Sequence, residues 1–164
     1  MERVSATTST TGEVRPEHDR PAGSDLVLVH YIRGLALPVV EVWEYLTDPD
    51  RLAGWFGTVH GDPATKAVRI ASDDAQLVVG VVHCVAPHEL YVTVDGAMLE
   101  CRLYQVGVVT TLELVRRHLH PADVATAGPR WQYHLDRLEA ALNETPLPEW
   151  SAYIGLSAEY RCPG

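Results

Sequence analysis

The sequence predicts a single α+β domain in which a curved antiparallel sheet wraps around a long C-terminal helix. An apolar, β-branched run opens the ordered part of the chain, extended runs broken by turn residues follow, and an amphipathic helix comes near the end. The chain has 164 residues, of which 46% are hydrophobic and 21% charged. That length and balance suit one domain with a packed core.

The N-terminal residues 1–24 are expected to form a disordered tail. They consist mainly of Ser, Thr, Pro, Gly and scattered charges, which cannot bury enough apolar surface to offset the entropy of ordering. They lack the apolar segment of a secretory signal. The three cysteines, Cys84, Cys101 and Cys162, show no paired spacing, so we expect a reducing, cytoplasmic environment.

The ordered domain is expected over residues 25–143. The apolar run at residues 26–32 predicts the first strand. Pro38 suits the first turn of a short helix whose apolar positions recur every three to four residues, and Asp48 followed by Pro49 begins a second short helix that ends at Gly57.

An antiparallel meander is predicted between residues 58 and 116. Its extended runs cover residues 67–71, 77–85, 90–94, 97–105 and 108–116, and Asp95-Gly96 between two of them is a strong hairpin signal. Gly128-Pro129 is expected to start the long helix, which places Trp131, His134 and Leu138 on one face. Residues 144–164 form a C-terminal extension that we expect to pack partly on the domain.

Charge excludes two classes of partner. Acidic residues outnumber basic ones by 22 to 13, giving a formal charge of −9, and no run of Lys and Arg interrupts the excess. Nucleic acid and anionic membrane surfaces both require clustered positive charge. No apolar stretch reaches the roughly 20 residues needed to span a bilayer.

Three stretches resemble one branch of the START-like, or SRPBCC, superfamily. They are Leu37-Pro38-Val39-Val40-Glu41-Val42-Trp43 with Leu46-Thr47-Asp48-Pro49 and Trp55-Phe56-Gly57; Val85-Ala86-Pro87-His88-Glu89-Leu90; and Gly128-Pro129-Arg130-Trp131 with Leu135-Asp136-Arg137-Leu138. The branch is named for activators of the ninety-kilodalton heat-shock chaperone ATPase.

The resemblance implies a helix-grip fold, like that of START and Bet v 1 proteins, with an internal cavity and no cofactor. Its members bind lipids or polyketides, cyclise polyketides, confer resistance to small toxic molecules, or act as co-chaperones. No separate chaperone-binding domain is visible in this chain. Many relatives carry a large aromatic residue where this chain has Val94, which would change the cavity wall there.

Strand alternation predicts an almost wholly apolar cavity wall. It contains Leu90, Val92, Val94, Leu99, Cys101, Leu103, Thr110, Leu112 and Leu114. The residues expected to touch a ligand are Trp55, Val92, Val94, Leu99, Cys101, Leu112, Trp131, His134 and Leu138. The alternative is a fully packed core without ligand space.

Two aromatic residues and one histidine are ambiguous. Trp55 and Trp131 are either gates at the cavity mouth or plain core anchors. His134 is either a ligand contact, able to act as an acid or base, or a core-edge histidine bonded to backbone. Cys101 is expected to act as a small apolar residue.

Metal binding and known catalytic motifs are not predicted. His118 with His120, and His83 beside Cys84, lack further ligands at zinc spacing. No nucleophile elbow or phosphate loop occurs, although a cyclase or hydratase could still use Tyr31, Tyr104 or His134.

We therefore expect a non-catalytic protein that binds a small apolar or aromatic, lipid- or polyketide-like molecule. Two alternatives stay open. One is a polyketide-cyclase-like enzyme or antibiotic self-resistance protein, and the other is a co-chaperone or stress-response protein.

Overall fold

A computed structural model describes residues 11–17, 25–61, 67–73, 75–160 and 162. The strands, in chain order, are β1 (Glu13–Pro16), β2 (Val27–Leu35), β3 (Thr58–His60), β4 (Ala67–Ser72), β5 (Ala75–Val85), β6 (Glu89–Val94), β7 (Ala97–Val106) and β8 (Val109–Leu119). They form one antiparallel sheet of eight strands in the order β1-β2-β8-β7-β6-β5-β4-β3.

Helices α1 (Val39–Thr47) and α2 (Pro49–Leu52) connect β2 to β3, and the long helix α3 (Val124–Asn143) follows β8. The main core cluster combines inward side chains of the sheet with Leu135, Leu138 and Leu142 of α3. This arrangement confirms the predicted fold class: a curved antiparallel sheet around a C-terminal helix, with two short helices after the first long strand.

The prediction of a disordered tail over residues 1–24 was wrong at Glu13–Pro16, which forms β1 and pairs antiparallel with β2. The pairing uses backbone groups, which any polar segment can supply. Glu17, just after β1, is buried and accepts hydrogen bonds from Arg117 and from the backbone nitrogen of His118. Residues 1–10 and 18–24 of the predicted tail lie outside the described residues.

Two predicted helix boundaries also differ. The second short helix ends at Leu52, so Trp55 and Phe56 lie in the turns that follow it. The long helix begins at Val124, four residues before Gly128, and contains Pro129 within its second turn. A 3-10 turn at Pro121–Asp123 leads directly into this helix. Pro129 therefore does not mark the helix start.

A buried ion-pair cluster holds α3 against the sheet. Arg33 of β2 has only 2% of its surface exposed and donates to Asp136 at 2.9 Å. Its Nε also lies 2.9 Å from a carboxylate oxygen of Glu139, one turn further along α3. Asp136 accepts a second hydrogen bond from Tyr153 at 2.7 Å. One side of α3 is therefore fixed to both the sheet and the C-terminal segment.

The C-terminal extension packs on α3 through a 3-10 segment, Trp150–Glu159, and the residue that follows it, Tyr160. Tyr160 donates to Gln132 at 2.6 Å and accepts from the backbone nitrogen of Gly12 at 2.9 Å. Its ring lies directly on Gly128, where a Cβ would overlap ring carbons. Glycine at residue 128 thus lets the C-terminus and the segment before β1 meet on the helix.

Gly128→Ala is expected to lower the free energy of unfolding by about 1–2 kcal/mol. Alanine normally stabilises a helix by about 1 kcal/mol relative to glycine, but a Cβ 2.2 Å from ring carbons of Tyr160 is a severe overlap, which costs about 2–3 kcal/mol. Urea unfolding measures the difference. Gly155→Ala is the matched control because a Cβ there meets nothing within 4 Å. A Gly128→Ala protein as stable as the wild type would contradict this account of the contact.

Candidate functional site

A cavity of about 310 Å³ lies between the concave face of the sheet and α3. Its lining comes from the α1–α2 region, from strands β3 to β8 and from α3. The lining residues are Leu46, Thr47, Pro49, Leu52, Trp55, Phe56, Val59, Val68, Ile70, Val79, Val81, Cys84, Leu90, Val92, Val94, Leu99, Cys101, Leu112, Leu114, Trp131, His134, Leu135 and Leu138.

All nine residues predicted to touch a ligand line this cavity. The strand register explains the sheet wall, since Leu90 pairs with Cys101 and Cys101 pairs with Leu114, so their side chains form one row. Two residues predicted for the wall do not line the cavity. Leu103 is packed in the core beyond it, and the Thr110 hydroxyl donates to the carbonyl of Leu37 at 2.6 Å.

A β-bulge in β5 changes which side chains face the cavity. Val81 pairs with Val92, but the register then shifts, so that His83 pairs with Tyr91 and Cys84 with Leu90. Simple alternation from Val81 would turn His83 inward. The bulge instead places Cys84 on the cavity wall, and His83 bonds Glu89 at 2.8 Å on the outer face.

Aromatic side chains form the wall on the helical side. The indole nitrogen of Trp55 donates to the carbonyl of Tyr45 at 2.8 Å, and Trp55 is buried. Phe56 lies between Trp55 and Trp131, the two tryptophans predicted to touch a ligand. The centroid of its ring is 5.4 Å from that of Trp55 and 6.2 Å from that of Trp131. Our site prediction missed Phe56, although its place beside Trp55 in an apolar stripe was a usable signal.

Arg137 connects this aromatic wall to α3. Its side chain donates to the carbonyl of Trp55 at 2.8 Å and to the carbonyl of Pro148 at 3.0 Å. The turn that carries Trp55 and Phe56 is therefore held by the helix that carries Trp131 and His134.

His134 is the polar group of the cavity that stands out. It is 5% exposed, and its Nδ1 is buried with no hydrogen-bond partner among the described residues. Burial, reinforced by the nearby charges of Arg130 and Arg137, lowers the pKa of His134 from 6.5 to about 3. The ring is therefore neutral near pH 7. Among the described residues, no hydrogen bond joins its Nδ1 to the backbone, which was the alternative role for this residue.

The two cavity cysteines differ in environment. Cys101 is buried in the wall, and desolvation raises the pKa of its thiol to about 12. Cys84 is exposed as well as lining the cavity, which places it at the opening. Within the described ranges, no three His, Cys, Asp or Glu side chains are grouped closely enough to hold a metal ion.

The pKa of His134 leads to a prediction for stability. Between pH 3 and 6.5 the unfolded chain binds a proton at this ring that the folded chain does not bind, so the stabilising contribution present above pH 6.5 is lost as pH falls. Relative to His134→Leu, the wild type should lose about 2 kcal/mol of unfolding free energy between about pH 7 and 5. Urea unfolding of both proteins at each pH checks this. Equal pH dependence in the two would contradict it.

Structural comparison identifies proteins with the same architecture. The crystal structure of CalU16 from Micromonospora echinospora superposes with a TM-score of 0.72 at 23% identity, covering 92% of this chain and 94% of CalU16. DynU16, described as a protein of the dynemicin biosynthetic locus, gives a TM-score of 0.66 at 25% identity. That match covers 74% of this chain and 49% of DynU16.

A third relative is the Aha1 protein from Colwellia psychrerythraea, solved as a dimer, with a TM-score of 0.63 at 16% identity. Its match covers 70% of this chain and 95% of Aha1. No protein-family model and no curated protein matches the sequence. These likenesses confirm the helix-grip fold that the sequence predicted, and Aha1, from the branch that the sequence resembles, is among the proteins that share this fold.

Proposed function

We propose that this protein binds a small, apolar molecule inside the cavity between the sheet and α3, without converting it. The observation that carries the proposal is the cavity itself. Its volume of about 310 Å³ is at the lower end of the range of about 300–1,000 Å³ that is typical of small-molecule sites. Its lining is apolar with few polar groups, which is also typical of such sites.

The size of the cavity argues against a packing defect. Protein interiors are close-packed, and voids larger than a water molecule are few. The apolar side chains that line this space, which opens at Cys84, forfeit the contacts that a packed core would give them. A protein that keeps such a space gains from filling it with a ligand. Trp55, Val92, Val94, Leu99, Cys101, Leu112, Trp131, His134 and Leu138 are the contacts we propose.

The relatives favour a metabolite as the ligand. DynU16 is described as belonging to a biosynthetic locus, and it shares 25% identity with this chain over the matched region. A lipid- or polyketide-like molecule fits both that description and the apolar lining. The likeness to Aha1, at 16% identity, extends to the fold alone, so we do not propose a chaperone partner. No helix in the described part of the chain has the length and apolarity needed to cross a bilayer.

Catalysis by His134 is the less favoured alternative. A general base works best when its pKa is near the operating pH, whereas the pKa of His134 is about 3. Such a ring accepts a proton weakly. Of the tyrosines considered as catalytic groups, Tyr31 bonds the carbonyl of Gly128 at 2.8 Å, and Tyr104 is 44% exposed. Neither lines the cavity.

Val92→Trp is expected to weaken binding of the uncharged fluorescent probe N-phenylnaphthylamine by at least about tenfold, because the indole would occupy ligand space. Fluorescence titration measures the dissociation constant. Val108→Trp, at a site that is 79% exposed, is the matched control and should bind like the wild type. No binding by the wild type, or equal binding by Val92→Trp, would contradict the proposed site.

Thiol labelling gives a second test of occupancy. In a Cys162→Ser background, a maleimide should modify exposed Cys84 readily and Cys101 very slowly, since about one in ten thousand Cys101 thiols is ionised at pH 8 when the pKa is about 12. Saturating N-phenylnaphthylamine should slow the reaction of Cys84. Mass spectrometry of the labelled peptides measures both rates. An unchanged Cys84 rate with the probe bound would place the probe outside the cavity.

A further inference from the structure

The cavity lining has few polar side chains, and His134 is the one with an unpaired buried atom. None of the lining residues is Asp, Glu, Lys or Arg. The Thr47 hydroxyl already donates to the carbonyl of Trp43 at 2.9 Å, and the Trp55 indole nitrogen donates to Tyr45. Nδ1 of His134 is buried and lacks a partner among the described residues. Such a group destabilises the folded protein by about 1–3 kcal/mol unless something pairs with it.

Aromatic rings surround His134. The ring of Phe56 meets it edge-on with centroids 4.8 Å apart, and the ring of Trp131 lies 5.0 Å away. Tyr133 is 5.2 Å away on the same helix. A ligand group that reaches His134 therefore packs against aromatic carbon. Aromatic pairs in such arrangements are favourable beyond the area they bury.

We propose that the ligand is an uncharged aromatic molecule bearing a hydroxyl, with the hydroxyl hydrogen-bonded to Nδ1 of His134 and the ring packed against Phe56 and Trp131. This inference rests on the proposed function and specifies its ligand class. It assigns His134 as the residue that orients the molecule in the cavity.

A hydroxyl fits better than other polar groups. It both donates and accepts, so it pairs with a neutral imidazole in either tautomer. A carboxylate or ammonium group would have to leave water for a cavity whose lining holds no charged side chain to pair with it, which is strongly unfavourable. A lone water at Nδ1 is also a poor solution, because buried waters usually need two to four polar partners. The aromatic rings of Phe56 and Trp131 beside Nδ1 present carbon atoms, which would not hydrogen-bond such a water.

Two isosteric probes test this assignment. β-Naphthol and β-methylnaphthalene differ by a hydroxyl in place of a methyl group, so the ratio of their dissociation constants reports the polar contact. In His134→Leu, the dissociation constant of β-naphthol should rise about tenfold relative to that of β-methylnaphthalene, because the hydroxyl then loses its partner. Binding of β-methylnaphthalene should stay the same or tighten. Calorimetric titration of both probes against both proteins measures the four constants.

A second measurement uses the wild type alone and so does not depend on the variant folding. With ¹⁵N-labelled histidine, the Nδ1 resonance of His134 should shift on binding β-naphthol and not on binding β-methylnaphthalene. Suppose that both probes bind, that the ratio of their dissociation constants is the same in His134→Leu as in the wild type, and that β-naphthol leaves the Nδ1 resonance unchanged. The assignment of His134 is then wrong, while cavity binding stands. If neither probe binds the wild type, the proposed function fails as well.

Discussion

The ion pairs of buried Arg33 with Asp136 and Glu139 set the orientation of α3, and the rest of the structure depends on that orientation. Asp136 and Glu139 lie on one side of the helix, where Arg33 joins them to β2. Fixing that side turns the face that carries Trp131 and His134 toward the cavity, because the two faces are separated by a fixed fraction of a helical turn. Removing one member of a buried pair is costly, since it leaves a charge without a partner. The helix therefore has little freedom to rotate.

A helix held in this way cannot move inward to fill the space beneath it. The sheet curves away from α3 between the row that contains Leu90 and the aromatic turn after α2, and the cavity occupies that gap. The C-terminal segment adds a second restraint through Tyr160 on Gly128 and Tyr153 on Asp136. Both restraints act on helix positions next to those that line the cavity. Ligand space and stability are thus provided by neighbouring faces of one helix.

Sequence periodicity predicted the part of the site that follows regular geometry. Alternation along β6 and β7 gave Val92, Val94, Leu99 and Cys101, and helical spacing gave Trp131, His134 and Leu138. Periodicity failed to predict features that depend on local geometry instead of a regular repeat of apolar residues. β1 has no apolar pattern and is held by backbone pairing, Phe56 lies in a turn, and the missing partner of His134 depends on neighbours distant in sequence.

The bulge in β5 absorbs one extra residue between Val81 and Cys84, so the strand beyond it keeps the same face toward the cavity. In regular alternation the same residues would turn the imidazole of His83 inward and the thiol of Cys84 outward. Deleting one residue between Val81 and Cys84 would remove the bulge and leave Cys84 on the cavity wall. Related chains could therefore differ in length by one residue at this strand and still present the same side chains to a ligand, so an alignment without a gap there would assign the wrong residues to the wall.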